Sequence, residues 1–234
     1  MLCEKPFTIN ARQAEEVAEA AARNNCFLME GMWSRFFPAM QKVRDLLAEG
    51  AIGKPMLLEA DFGFRAGFNP NSRLFDPAMG GGALMDVGVY CVSLASMFFG
   101  TPDRAECVAT LCDTGVDEQA VMLLGYPNGS LAHLSTAIRL STVHAATLFG
   151  EEGSLVLPSP WWKPTRLELH RNGKTEEFTY PFESTGFQFE AAEACRCLNE
   201  GLAESPVLPI HETLQIMRTL DTLRSRCGVR YPAD

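Results

Sequence analysis

The sequence lacks any cluster of positively charged residues. Its 234 residues include 20 Lys and Arg against 29 Asp and Glu, which gives a formal net charge of -9. Nucleic acids and anionic membranes both select proteins in which Lys and Arg are clustered. The acidic residues are scattered along the chain, a pattern typical of a solvated surface. We therefore expect neither nucleic acid nor a membrane as a partner.

Segments that would direct the chain out of the cytoplasm are also lacking. No apolar run looks close to the ~20 residues that a membrane-spanning helix needs. The N-terminus has no basic region followed by an apolar stretch, so it does not resemble a signal peptide. Eight cysteines are present, but several, such as Cys91, lie within apolar helix or strand patterns. These features predict reduced, buried thiols in a cytoplasmic protein.

Histidine is scarce, and no spacing typical of a metal site is found. The four histidines, at 133, 144, 170 and 211, are dispersed along the chain. Cys195 and Cys197 are separated by a single residue, which is the wrong spacing for a zinc knuckle. The sequence therefore predicts no metal site, and a metal-dependent hydrolase has little support.

Helix and strand patterns alternate in the first 50 residues. Asn10 and Gln13 form a capping box, which marks the start of a helix. The predicted elements are the end of a buried strand at 2–3, a helix over 11–23, a strand over 26–29 and a helix that begins at Pro38 and is closed by Gly50 and Gly53. This alternation is typical of the last part of a parallel α/β sheet.

Short strands dominate the remainder of the chain. Asn-Gly pairs at 128–129 and 172–173 are strong hairpin signals. The predicted elements are a strand over 55–64, a polar loop over 65–79, a helix over 83–98, strands over 105–112, 119–126, 129–138, 143–149, 153–157, 165–170 and 174–180, and helices over about 187–203 and 211–226. The predicted fold class is α+β, in which the end of a parallel α/β sheet precedes a large, open, mostly antiparallel sheet flanked by helices.

The large sheet has too few helices to cover both of its faces. We expect an exposed apolar sheet face that includes Leu134, Ile138, Leu148 and Phe149. Exposed apolar patches of this kind mark contacts between subunits. The sequence therefore predicts a homodimer that forms through the open sheet face.

Lys5 is the first candidate for a catalytic residue. It lies between Glu4 and Pro6, where the first strand gives way to an extended turn. Ligands of open α/β sheets bind along this edge. A lysine beside a glutamate is usually a solvated surface pair, and that interpretation stays open for Lys5 taken alone.

The run GGGALMDVGVY at 80–90 holds two more candidates. Three glycines before a helix give backbone N–H groups room to face a ligand. Asp86 and Tyr90 are four residues apart and share one face of that helix. Ordinary packing of Tyr90, with Asp86 as a carboxylate favoured by the helix dipole, explains the same residues. A third stretch, MEGMWSRFFP at 29–38, suits either a pocket or the core.

Taken together and in this order, EKP, MEGMWSRFFP and GGGALMDVGVY resemble the glucose–fructose oxidoreductase, inositol dehydrogenase and MocA (Gfo/Idh/MocA) family. The resemblance covers essentially the whole chain from residue 2. It is strongest to the branch of dimeric dihydrodiol dehydrogenases and NADP-dependent D-xylose dehydrogenases. Members of this branch carry a tyrosine at the position of Tyr90, whereas many other members of the family carry a histidine there.

The resemblance implies catalytic roles for three residues. Lys5 would lie beside the nicotinamide and the substrate hydroxyl, and Tyr90 would act as general acid/base. Asp86 would orient the substrate or the lysine. A free tyrosine titrates near ~10, and an adjacent ammonium group favours the phenolate, so we expect Lys5 to lower the pKa of Tyr90.

The resemblance also implies the binding residues. The substrate pocket would be lined by Trp33, Arg35, Phe62, Trp162 and Phe187. Cofactor contacts would come from Glu4, Lys5 and Pro6. The implied cofactor is NADP, with NAD as the alternative, and the implied substrate is a small sugar or diol.

One feature of the family is not found: no dinucleotide-binding half with a glycine-rich phosphate loop precedes Glu4. A half of this kind would add about 90 residues. We expect residues 1–30 to be the C-terminal remnant of the Rossmann domain and 31–234 to be the substrate-binding and dimerisation domain. The C-terminal helices would pack back on the Rossmann part, and they and helix 11–23 would expose apolar faces.

Two functions therefore remain open. The first is the C-terminal part of an NAD(P)-dependent dehydrogenase that oxidises a secondary alcohol of a sugar or cyclic trans-diol. The second is a non-catalytic substrate-binding or dimerisation module that lacks cofactor binding. The missing glycine-rich loop favours an inactive chain, whereas Lys5 and Tyr90 favour an enzyme.

Overall fold

A small parallel sheet is formed near the N-terminus of the computed structural model, which describes residues 1–234. Strands β1 (Leu2–Glu4) and β2 (Met29–Gly31) are joined by helix α1 (Ala11–Arg23). Glu4 pairs with Gly31, so the carboxyl ends of both strands lie side by side. The predicted capping box is confirmed at the start of α1, because the Asn10 side chain accepts a hydrogen bond from the Gln13 N–H.

Strand β2 begins later than the predicted strand over 26–29. The N–H of Leu28 donates to the carbonyl of Ala203 rather than to β1, and pairing with β1 starts only at Met29. The apolar run is present, but hydrogen-bond partners distant in the sequence decide where the strand begins. A short 3-10 turn (Trp33–Phe36) then leads into helix α2 (Pro38–Ala48), with Pro38 in its first turn.

The larger sheet contains eight strands. They are β3 (Pro55–Gly63), β4 (Arg104–Leu111), β5 (Asp117–Gly125), β6 (Leu131–Ala137), β7 (Ala146–Gly150), β8 (Gly153–Leu157), β9 (Arg166–Arg171) and β10 (Lys174–Thr179). Their order across the sheet is β10-β9-β8-β7-β3-β6-β5-β4. All neighbours are antiparallel except β3 and β6, which are parallel. The predicted α+β class, with a large and mostly antiparallel sheet, is confirmed.

Three further helices complete the fold: α3 (Val89–Phe99), α4 (Gln188–Asn199) and α5 (Ile210–Cys227). The predicted helix over 83–98 is present, but its first part, Leu84–Gly88, is π-helical. The N–H of Leu84, at the start of this segment, donates to the side chain of Asp117 at 2.7 Å. Helix α3 packs on β3 and β6, and α5 packs on β4.

The expectation that no apolar run approaches the length of a membrane span was wrong. The stretch Pro77–Phe99 is long and apolar enough to cross a membrane by length and composition. Most of it is buried inside the protein, however, and core helices of globular domains pass the same test. The stretch is therefore weak evidence for a membrane span.

The two faces of the large sheet differ sharply in burial. Side chains alternate along each strand, so that Ala120, Met122 and Leu124 of β5 are buried while Val121 and Leu123 are exposed. The residues that make the open face apolar are Val108, Val121, Leu123, Leu131 and Phe149.

Three of the four residues predicted for the open face lie on the other side. Leu134, Ile138 and Leu148 are buried beneath the helices, and only Phe149 is exposed. A shift of one residue in register exchanges the two faces of a strand, and the apolar pattern did not fix that register.

The helices expose less apolar surface than expected. Helix α1 packs against α5, which buries Ala11 and Ala14 of α1 together with Ile216 and Leu220 of α5. In α4, by contrast, Leu198 remains exposed.

Candidate active site

The candidate active site is built where β1 and β2 end. Lys5 follows β1 directly, and Trp33 lies two residues beyond β2. The parallel register places these two strand ends beside each other. This is the edge of a parallel sheet along which ligands bind.

The side chain of Lys5 reaches from the small sheet to the helical segment that carries Asp86 and Tyr90. Its Nζ donates a hydrogen bond of 2.9 Å to the backbone carbonyl of Asp86. The same Nζ lies 4.7 Å from the centroid of the Tyr90 ring. A cation at this distance is attracted by the face of an aromatic ring. The fold therefore brings together all three predicted catalytic residues. Lys5 precedes Asp86 by 81 positions and Tyr90 by 85 in the sequence.

Tyr90 is buried and its hydroxyl has a defined partner. The indole Nε1 of Trp33 donates to the Tyr90 oxygen at 2.6 Å. A phenol oxygen that accepts one hydrogen bond still has its own O–H to donate and a second lone pair. The Tyr90 hydroxyl can thus give a proton to a substrate oxygen or, once ionised, take one from it.

The pKa of Tyr90 is raised above its usual value, whereas the sequence predicted that it would be lowered. Burial raises the pKa of Tyr90 well above its ordinary range, and the hydrogen bond from Trp33 opposes this only in part. Burial also lowers the pKa of Lys5, with the charge of Asp86 acting against it. The expected lowering of the pKa of Tyr90 by Lys5 was wrong, because burial and then the negative charges of Asp86, Glu4 and Glu190 raise this pKa.

Asp86 carries a partner that the sequence did not reveal. Its Oδ1 accepts a 2.7 Å hydrogen bond from Nη1 of Arg73. Arg73 belongs to the loop that was predicted over 65–79, and its side chain is 69% exposed while that of Asp86 is 8% exposed. The carboxylate therefore bonds to Arg73, whereas the contact of Asp86 with Lys5 is made by the backbone carbonyl.

Four of the predicted pocket residues gather around Tyr90. Trp162 stacks on Phe62 with a centroid distance of 3.5 Å, and Phe62 lies 5.3 Å from the Tyr90 ring. On another side, Phe187 stacks on Trp33 at 4.6 Å. Stacked aromatic walls supply apolar surface for a ring-shaped substrate and limit the access of water.

Two titratable residues of this region were missed by the sequence reasoning. The His144 ring lies 4.7 Å from Trp162. Glu190 is almost fully buried in the first turn of α4, and its Oε2 lies 3.4 Å from the point that a Cβ on Gly31 would occupy. Burial, together with the charge of Glu4, raises the pKa of Glu190 to about 7. Neither residue stands in a recognisable motif, so no local signal marked them.

Arg35 does not join this cluster. Its guanidinium is buried and donates to Glu212 at 2.8 Å and to the carbonyl of Ser93 at 2.7 Å. These contacts tie the turn after β2 to α3 and α5. The structure thus places Arg35 in a buried ion pair instead of the predicted substrate pocket, because its partners come from distant helices.

The residues at the strand ends fit the reactive end of a dinucleotide cofactor. Glu4 is exposed, and Lys5 and Pro6 are half-buried at the carboxyl edge of the small sheet. The Lys5 ammonium group faces Tyr90 across this edge. No group of three or more His, Cys, Asp or Glu side chains in residues 1–234 is arranged to hold a metal ion.

The sequence is similar to a described protein family and to curated enzymes. Residues 40–156 match the family described as GFO/IDH/MocA C-terminal domain. The chain is 36% identical over 242 residues to a trans-1,2-dihydrobenzene-1,2-diol dehydrogenase of Xenopus tropicalis, with 99% of this chain and 72% of the relative covered. The human enzyme of the same name is also 36% identical, with 100% of this chain and 72% of the relative covered.

Solved structures share the fold. A 3-ketoreductase from Actinomadura kijaniata in complex with NADP and TDP-benzene is 26% identical, with a TM-score of 0.81 and coverage of 97% of this chain and 70% of that one. The aldose-aldose oxidoreductase of Caulobacter crescentus complexed with glycerol is 21% identical, with a TM-score of 0.86 and coverage of 97% and 69%. The second likeness supports the fold alone.

Proposed function

The chain belongs to the Gfo/Idh/MocA oxidoreductase family, and on this basis we propose that it oxidises a secondary alcohol of a cyclic diol or sugar with NAD(P) as cofactor. The observation that carries the proposal is the position of Lys5 Nζ, 4.7 Å from the Tyr90 ring at the ends of β1 and β2. This arrangement puts a cation and a proton-transferring hydroxyl at the edge where a dinucleotide would bind.

The nicotinamide, when bound, supplies the acceptor for the hydride that leaves the carbinol carbon. Glu4, Lys5 and Pro6 are the residues of this chain that would contact it. Tyr90 Oη takes the hydroxyl proton during oxidation and returns it in the reverse direction. The Trp33 N–H stabilises the phenolate that this role requires, because it donates to the same oxygen.

Substrate binding is assigned to the aromatic side chains around Tyr90. Phe62 and Trp162 form one wall, and Trp33 and Phe187 form another. Apolar walls of this kind accept the carbon skeleton of a ring, while its hydroxyl groups meet Lys5 and Tyr90. The names of the curated relatives, which are dehydrogenases of a cyclic diol, support this substrate class.

Homodimerisation through the open sheet face is part of the same proposal. A second copy of the chain is the occupant that best suits a face whose exposed apolar residues come from β4, β5, β6 and β7, which together with β3 are five consecutive strands of the sheet. The residues that support it are Val108, Val121, Leu123, Leu131 and Phe149, all of them exposed. Large apolar side chains exposed on several adjacent strands mark a surface for contact with another protein.

We further propose that residues 1–30 belong to the cofactor-binding domain and that residues 31–234 form the substrate-binding and dimerisation domain. We also assign the protein to the cytoplasm. All eight cysteines are free thiols in the structure, which suits a reducing compartment. Fluorescence microscopy of the full chain with a C-terminal tag tests the location, and a membrane-bound or secreted signal would contradict it.

Two measurements test the proposed enzyme. Titration of NADPH fluorescence against the full chain should give saturable binding. Tyr90→Phe should lower kcat/KM for a cyclic diol by about 100-fold or more, since a positioned acid/base contributes a factor of this size, with little change in NADPH affinity. Near-normal turnover in this variant would remove Tyr90 from the mechanism. Absence of saturable NADPH binding would favour the alternative function, a substrate-binding or dimerisation module without cofactor.

A further inference from the structure

We propose that the ion pair between Arg73 and Asp86 recognises the second hydroxyl group of a vicinal diol, which makes Arg73 a specificity-determining residue. The inference rests on the proposed function, since it takes the reacting hydroxyl to lie at Tyr90. It adds a residue from outside the motifs that carry the family resemblance.

The loop that carries Arg73 is held firmly against the glycine run. The N–H of Gly82 donates to the carbonyl of Leu74 at 2.9 Å. A Cβ on Gly81 would lie 2.9 Å from the carbonyl oxygen of Arg73 and 2.8 Å from that of Leu74. Only glycine allows the loop to approach this closely. The contact places Arg73 beside the start of the helical segment, within reach of Asp86.

The ion pair leaves both partners with unused hydrogen-bonding groups. Nη1 of Arg73 is its only atom that bonds to Asp86, while Nη2 and Nε have no partner in the protein. The Asp86 Oδ2 also lacks a hydrogen bond in the protein, and it is open to solvent. Four of the five guanidinium N–H donors of Arg73 and one carboxylate oxygen of Asp86 therefore remain without a partner in the protein.

This combination of groups suits a hydroxyl better than a charged group. A hydroxyl can donate to Asp86 Oδ2 and accept from an Arg73 N–H at the same time. A carboxylate on the substrate would be attracted by Arg73 and Lys5 but repelled by Asp86, and an ammonium group would meet the reverse. A neutral hydroxyl is repelled by neither member of the pair and can bond to both, so it suits the pair better than either charged group.

The location of the pair next to the reacting groups favours a hydroxyl adjacent to the one that reacts. The backbone carbonyl of Asp86 holds Lys5 Nζ at 2.9 Å, and that Nζ lies over the Tyr90 ring. Asp86 is also four residues before Tyr90 along the helical segment. A substrate whose first hydroxyl meets Tyr90 therefore places a neighbouring hydroxyl towards Asp86 and Arg73.

The test compares a diol with a monoalcohol in the absence of cofactor. The change in tryptophan fluorescence, to which Trp33 and Trp162 of the pocket contribute, reports the binding of trans-cyclohexane-1,2-diol and of cyclohexanol to the full chain. We expect the wild-type chain to bind the diol about tenfold more tightly, which corresponds to about 1.4 kcal/mol, since its second hydroxyl gains hydrogen bonds to charged groups. Arg73→Met should remove this preference and leave the dissociation constant of cyclohexanol unchanged.

Two further variants sharpen the result. Arg73→Lys keeps the charge but loses the guanidinium fork, so it should restore only part of the preference. Arg23→Met is the matched control, because Arg23 is also an exposed arginine, with a side chain 67% exposed, paired to a carboxylate at 3.2 Å. Circular dichroism and thermal melting confirm that each variant is folded.

Three outcomes would overturn the inference. They are equal affinity of the wild-type chain for both alcohols, no saturable diol binding, and an equal loss of affinity for both alcohols in Arg73→Met. The last would show that Arg73 only pins its loop. Because binding is measured without cofactor, failure of the proposed enzyme in the NADPH and Tyr90→Phe measurements is seen separately.

Discussion

The indole N–H of Trp33 donates a 2.6 Å hydrogen bond to the hydroxyl oxygen of Tyr90. Trp33 follows β2 and Tyr90 lies in α3, so the bond joins residues 57 positions apart. It connects the end of the small sheet to the helix that packs on β3 and β6 of the large sheet. It is also the main hydrogen bond that opposes the effect of burial on the pKa of Tyr90. The two residues therefore determine together how readily the phenolate forms.

Replacing Trp33 by Phe should make the oxidation more dependent on alkaline pH. The change keeps an aromatic ring against Phe187 and removes the N–H donor, so the pKa of Tyr90 should rise further. Oxidation needs the phenolate, so the acidic limb of the pH profile of kcat/KM should move to higher pH. At neutral pH, kcat/KM should be lower by about tenfold. The pH profile of kcat/KM measures the shift. Trp162→Phe is the control, since its ring stacks on Phe62 without bonding to Tyr90.

Replacing Glu30 by Gln should weaken the pH dependence of stability. Glu30 is fully buried, and burial raises its pKa from 4.5 to about 7 although Thr213 donates to its Oε2 at 2.9 Å. The folded protein therefore keeps a proton that the unfolded chain releases above its own pKa. Glu30 alone should therefore lower the free energy of unfolding by about 3 kcal/mol as the pH rises from 4.5 to about 7.

Urea denaturation between pH 5 and pH 8 measures this effect. The Glu30→Gln variant should lose less stability than the wild-type chain over that interval, because its amide does not ionise. The exposed Glu16→Gln variant should follow the wild-type curve. Parallel curves for all three proteins would show that Glu30 does not titrate in this window.

Replacing Gly82 by Ala should destabilise the fold strongly. Gly82 has a φ of +113°, and a Cβ there would overlap Oδ1 of Asp117, whose other oxygen binds the Leu84 N–H at 2.7 Å. Overlap and backbone strain together should cost about 3 kcal/mol or more. Gly115→Ala is the control, with a φ of +87° and open space around the added carbon. It should cost about 1–2 kcal/mol, and equal losses in denaturant unfolding would contradict the role of Asp117.

Replacing Leu123 by Arg should dissociate the proposed homodimer. Leu123 is 56% exposed on β5 in the open face, where a charge buried in a dimer would be left unpaired. Size-exclusion chromatography with light scattering should show a dimer for the wild-type chain at micromolar concentration and a monomer for the variant. Leu198→Arg changes an equally exposed leucine, 58% exposed, on α4 and should stay dimeric. A wild-type monomer would remove the proposed dimer.

Replacing Arg35 by Met should damage stability without changing the choice of substrate. The change leaves the Glu212 carboxylate partly buried without its guanidinium partner, which should cost about 3–5 kcal/mol. Thermal unfolding measures the loss, and the ratio of diol to monoalcohol affinity should stay the same. A changed ratio with unchanged stability would return Arg35 to the substrate pocket.

Sequence patterns predicted the elements better than the contacts among them. The capping box at Asn10 and the Asn-Gly turn at 172–173 are local signals, and the structure contains α1 and the β9–β10 hairpin at these places. The open sheet face was assigned wrongly for Leu134, because the alternation of apolar residues fits either register. Register depends on pairing between strands, which a local pattern does not contain.

The candidate site shows the same division. Lys5 and Tyr90 stand in motifs, so the resemblance to the family marked them, and the fold brings them together. Arg73 lies in a polar loop without a motif, and only the packing of that loop against Gly81 brings it to Asp86.

The sequence by itself determined the α+β class, the family and the motif residues of the candidate site, because periodicity, turn signals and motifs are properties of neighbouring positions. Only the tertiary structure decided that burial raises the pKa of Tyr90, that Arg35 pairs with Glu212 and that Arg73 reaches Asp86. Desolvation and ion pairing depend on contacts between side chains that are far apart in the sequence. Those contacts are determined by the packing of the whole chain.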